Sequence, residues 1–120
     1  MSDFPAENIR DWRDHDVVDR AGDKIGSLES VYFDTATDRA TFAAIQVGFP
    51  GRRRLVFAPL DGAVVTPRTL KLQVDKKAVK DAPSIDTDGE LTPEEEPAVF
   101  EHYGLPYALG ANGERRLGRR

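Results

Sequence analysis

The chain has 120 residues, no cysteine and a formal net charge of −4. That length suits one domain with a modest core of its own. The missing cysteine excludes a disulfide framework and thiol chemistry, and a reducing cytoplasm is the expected setting. No run approaches the roughly 20 apolar residues of a membrane helix, and Met1-Ser2-Asp3-Phe4-Pro5 lacks the marks of a secretory signal.

Pro5 to Trp12 fits a short helix with Ile9 and Trp12 on one face, within an N-terminal arm over 1–15. Trp12, the only tryptophan, is a core plug or an interaction anchor. The core domain is expected over 16–83. Val17-Val18 leads into Asp19-Arg20-Ala21-Gly22-Asp23-Lys24, a tight hairpin turn with Gly22 at positive φ. A strand follows from Ile25 to Phe33. Its apolar residues change parity, and Gly26 beside the shift predicts a bulge or a sharp coil, which a small barrel needs in order to close.

Thr41 to Phe49 is the next strand. Ala43, Ile45, Val47 and Phe49 share one face, and Phe42 and Ala44 the other. Apolar content on both faces marks a central strand, or one passing from the interior to an interface. Pro50-Gly51 turns the chain into a strand from Leu55 to Leu60, closed by Pro59. Ala63–Thr66 is short. Thr69 to Val74 alternates cleanly, with Leu70, Leu72 and Val74 inward. Lys76 to Asp81 makes about one helical turn before Pro83. Residues 84–105 form an acidic loop and a capped helix. Thr92 is its N-cap, Pro93 and Glu95 lie in its first turn, Val99, Phe100 and Tyr103 form its apolar stripe, and Gly104 stops it. Residues 106–120, with three glycines and four arginines, fit a flexible basic tail.

These segments together resemble the PRC-barrel family. The resemblance rests on Asp16-Val17-Val18-Asp19 with Gly22-Asp23-Lys24-Ile25-Gly26, on Val31-Tyr32-Phe33-Asp34, on the Leu55–Leu60 strand with Pro59, and on Lys77 to Pro83. Glu101-His102-Tyr103-Gly104-Leu105 is similar to the Tyr-Tyr-Gly ending of stand-alone bacterial members, with His102 in place of the first tyrosine. The resemblance implies a mainly β fold: a small, strongly bent barrel of five to six strands, with a short helix after the last strand and a C-terminal helix. It also implies an interaction module rather than a catalyst. The family includes the cytoplasmic domain of the photosynthetic reaction-centre H subunit and the C-terminal domain of a ribosome-maturation factor. A role beside a photosynthetic or other membrane electron-transfer complex follows by family analogy only.

Charge falls in blocks. Residues 1–50 sum to −5, 51–82 to +5, 83–105 to −7 and 106–120 to +3. Blocks of opposite sign attract within one chain or between two copies. With Phe42 on the second face of a central strand, they favour a self-associating adaptor that binds protein, with Phe42, Trp12 and Tyr103 as contact residues. Arg52-Arg53-Arg54 at a hairpin tip offers a phosphate or RNA contact, hence a ribosome-associated alternative. The acidic overall charge and the want of a stacking platform argue against nucleic acid.

No cofactor is expected, with calcium the one alternative. From Ser84 to Glu95, Asp86 and Asp88 take positions 3 and 5 of a twelve-residue calcium loop, Gly89 position 6 and Glu95 position 12. Ser84 at position 1 and Pro83 before it depart from that pattern. His15 and His102 have no metal-ligating neighbour at helical spacing, and no nucleophile elbow or phosphate loop is present. No enzymatic activity is expected.

Overall fold

The computed structural model describes residues 15–35, 37, 39–49, 51–87, 89, 91–105 and 117–119. Trp12 and the expected helix from Pro5 to Trp12 lie outside them.

The chain begins with β1 (Asp16–Val18), a turn and the long β2 (Lys24–Asp34). Asp19 builds the turn. Its carboxylate accepts the amides of Ala21 and Asp23, each at 2.9 Å, and that of Lys76 at 3.0 Å. Gly22 takes φ 91° as expected. Lys76 opens α1 (Lys76–Lys80), whose own preceding residue Asp75 makes no side-chain cap. One turn residue therefore caps a helix 57 positions away.

The parity changes along β2 are bulges. Against β1, Val17 pairs with Gly26 and Val18 with Lys24, so Ile25 is the extra residue. Against β3 (Ala40–Phe49), Leu28 faces Ile45 and Ser30 faces Ala44, so Glu29 is extra. A third shift, past the Tyr32–Phe42 pair, leaves Thr41 unmatched. Each bulge adds local twist and turns the next side chain to the other face. A Cβ on Gly26 would lie 2.1 Å from the Gln46 carbonyl oxygen, so β2 and β3 close up here only because residue 26 has no side chain.

The sheet continues through β4 (Arg52–Pro59), β5 (Val64–Val65), β6 (Thr69–Lys71) and β7 (Ser84–Asp86). Two further elements follow, α2 (Glu96–His102) and β8 (Leu117–Arg119). The order is β5-β6-β1-β2-β3-β4-β7, with β8 added on β2. β1 and β6 run parallel; the other pairs are antiparallel.

The structure is mainly β and bent as expected, with two corrections. Among the described residues the sheet has eight strands rather than five or six, and hydrogen bonds do not close it: β5 and β7 are open ends. The expected tail is also wrong at 117–119. Leu117 is fully buried, and its amide donates to the buried Glu96 carboxylate at 3.3 Å. Residues 106–116 lie outside the described residues.

Two apolar cores lie on opposite faces of β3. Val17, Leu28, Val31, Ala43, Ile45, Val56, Leu70, Leu72 and Val79 belong to the first, inside the curl. Tyr32, Phe42, Ala44, Phe57, Leu91, Val99, Phe100 and Leu117 form the second, beneath α2 and β8. The helix stripe of Val99, Phe100 and Tyr103 is as expected, but α2 starts four residues after Thr92. Glu95 Oε1 accepts from the Thr92 amide at 3.0 Å and from its hydroxyl at 2.8 Å, tying a turn ahead of the helix. At the far end Gly104 takes φ 68°, its amide reaches the Glu101 carbonyl, and the Leu105 amide reaches that of Phe100. That double bond pattern is a Schellman stop.

Two tests follow from these contacts. Gly26→Ala should cost about 2–3 kcal/mol in denaturant unfolding, the scale of a forced backbone shift. A loss under about 0.5 kcal/mol would mean that the strands can part there without strain. For Asp19, the Asp23 amide does most to hold the carboxyl below its ordinary value; burial opposes it, and the Lys76 and Ala21 amides add to the lowering. A depressed carboxyl stabilises the fold above its unfolded value and loses that contribution as pH falls through its folded one. Asp19→Asn should therefore melt below the wild type at pH 7, with the gap closing as pH drops below 3.8. A gap independent of pH would remove the ionised carboxylate from the account.

Candidate functional site

Phe42 pairs across the strands with Tyr32 and Pro59. The bulges that curl the first face inward leave Phe42 on the second face, under α2. Its ring meets Phe100 edge-on at 5.1 Å and lies 6.3 Å from Tyr103. Phe42 is 0 % exposed. The expectation that it faces a second copy is corrected: the chain's own helix covers it.

Tyr103, named as a second contact residue, is half-buried. Its hydroxyl donates to the Phe57 carbonyl, so it ties α2 to β4, and burial pushes its pKa up. It holds the second layer down more than it faces outward. Beside it, His102 Nε2 lies 2.7 Å from the Ala78 carbonyl, joining α2 to α1.

The three arginines are the first residues of β4 rather than a loop tip. Arg52, Arg53 and Arg54 pair with Phe49, Gly48 and Val47. All three are exposed. Strand alternation sends Arg53 to one face and its neighbours to the other. Arg54 donates to the Lys80 carbonyl at 3.3 Å, satisfying an acceptor at the end of α1. Arg54 also stands opposite Asp86 of β7, so the basic and acidic blocks meet within one chain. Tyr32, Phe42 and Phe57 are buried and present no ring on which a base could stack beside the arginines.

The residues read as a calcium loop serve different elements. Asp86 ends β7, Glu95 is engaged with Thr92, and Asp88 lies outside the described residues. Among the described residues no three His, Asp or Glu side chains gather as metal ligands.

One concave feature was not foreseen. A cleft of about 420 Å³ opens where the start of β2, the end of β3, the start of β4 and the last turn of α1 meet. Lys24, Arg53 and Lys80 line it with Gln46, over a floor that includes Ile25 and Val47. Among the described residues no acidic side chain lines it. Its cations come from three elements and lie up to 56 positions apart, so no local spacing could have announced them.

Phe42→Ala tests the covered second face. Truncating so buried a ring should destabilise the fold by about 3–5 kcal/mol in chemical denaturation. A loss below about 1 kcal/mol would return Phe42 to an open surface.

Among the described residues no helix is long and apolar enough to cross a membrane. Comparison with curated proteins found no match. The PRC-barrel domain family matches residues 5–79, a protein-interaction kind of domain. The match takes in β1 to β6 and most of α1, which is the bulged ribbon and first core just described. It spans more than half of the sequence, and the chain therefore belongs to the PRC-barrel domain family.

Proposed function

We propose that this protein is a non-catalytic interaction module that self-associates through the open edge of its sheet. The observation that carries the reading is the exposure of Val64. Among the described residues β5 pairs with β6 alone, and its other edge ends the sheet. Val64 on that edge is 49 % exposed, whereas the apolar residues of β3 and β4 that line the two cores are buried. An unpaired edge carrying an apolar side chain is a template for another strand. Two β5 strands related by a two-fold axis pair antiparallel and present the same residues to each other, an arrangement that satisfies both edges at once.

Support for the non-catalytic part comes from the packing. Among the described residues both faces of β3 are filled with the protein's own aliphatic and aromatic side chains, so the inside of the sheet is a packed core rather than a substrate cavity. Work is then done from the outside of the molecule.

Sedimentation velocity tests the self-association. The wild type should sediment as a dimer at about 100 µM, and Val64→Lys as a folded monomer, since an edge lysine blocks strand pairing. A wild type that stays monomeric at that concentration, or a Val64→Lys dimer, would refute pairing through β5.

A further inference from the structure

We propose that the cleft between the strand ends and α1 binds a phosphate group carried on a small soluble molecule. Lys24 reaches it from β2, Arg53 from β4 and Lys80 from α1, and no acidic residue lines it among the described residues. Like charges gathered in a recess raise the local potential and draw in an anion. Among the described residues only Lys24 has an acidic partner, Asp16, which is not part of the cleft lining.

Neither Arg53 nor Lys80 has an ion-pair partner within 4.0 Å among the described residues. Lys24 lies 3.2 Å from Asp16, but those side chains are 64 % and 52 % exposed. A pair so well solvated contributes little, and a doubly charged ligand competes with it easily. Arg53 Nη1 is 3.5 Å from Gln46 Oε1, a long bond that orients the guanidinium and leaves most of its five donors for a ligand.

The mixture of cations favours phosphate over a lone carboxylate. Arginine offers a planar fork to two oxygens, while the two lysines supply point charges to a dianion. Ile25 and Val47, both nearly buried in the first core, complete the lining beside the cations. The volume of about 420 Å³ lies within the range of small-molecule sites.

The site is independent of β5, so its test leaves the self-association reading untouched. Inorganic pyrophosphate is titrated into 15N-labelled protein, and the amides of Gly26, Ser27 and Gly48 are followed. Saturable shifts at these amides with a Kd near or below about 1 mM are expected. The double variant Arg53→Gln, Lys80→Gln and the single variant Lys24→Gln should each weaken binding, the double at least ~10-fold. Arg68→Gln, an exposed arginine beyond the cleft, should leave it unchanged. No saturation by about 10 mM, or equal weakening in Arg68→Gln, would overturn the site and leave only diffuse attraction. Vesicles carrying a phosphorylated inositol headgroup form the second arm. Co-sedimentation with them, lost in the same variants and without any response to pyrophosphate, would overturn the soluble ligand.

Discussion

β3 has to be apolar on both sides, and the rest of the fold answers to that. Ala43, Ile45 and Val47 face the inside of the curl, and Phe42 and Ala44 face the other way. A strand so placed needs two separate covers. The sheet supplies the first by bending over itself at its bulges. α2, Leu91 and β8 supply the second. Burying a ring such as Phe42 or Phe100 is worth roughly 1.5–3 kcal/mol, a large share of what a domain of this size can spare. The parts after the family match are thus integral to the fold: without them Tyr32, Phe42 and Phe57 would form an exposed aromatic face.

Polar contacts decide where these covers sit. Asp19 joins the first hairpin to α1, Tyr103 joins α2 to β4, and Glu96 joins α2 to β8. Tyr32 does the same for the loop before α2, its hydroxyl accepting from the Leu91 amide at 3.0 Å. At the buried amides of Leu91 and Leu117 such a bond satisfies a group that packing would otherwise leave in a dry place, which costs more than the bond itself returns. Apolar burial thus provides the drive, and these tethers fix the register. With both faces of β3 covered, the surfaces left outside the two cores are the sheet's open ends and its cationic corner.

Much of this was legible in the sequence where the signal is local. The alternation from Thr69 placed β6, although the strand stops at Lys71 rather than Val74, and the parity change beside Gly26 pointed to the first of the three register shifts. What the sequence could not show was what covers what. Phe42 and Ala44 marked a second apolar face, but a partner's surface and the chain's own helix look alike from one strand. Leu117 is a single apolar residue among glycines and arginines, so a strand that buries its leucine has the composition of a tail. Glu96 sits in an acidic block, where a solvated carboxylate is the ordinary expectation. Lys24, Arg53 and Lys80 meet only after the sheet and α1 have packed, and such contacts leave no periodic trace.

The account stands on α2 being a fixed second layer over β3 rather than a detachable flap. Native-state hydrogen exchange measures this directly, because it gives an opening free energy for each amide. The amides of Val99 and Phe100 should open with the same free energy as those of Ala43 and Ile45, all through global unfolding. If the helix amides open several kcal/mol more easily while β3 stays protected, Phe42 and its neighbours form a face that the native protein uncovers, and the two-cover account fails.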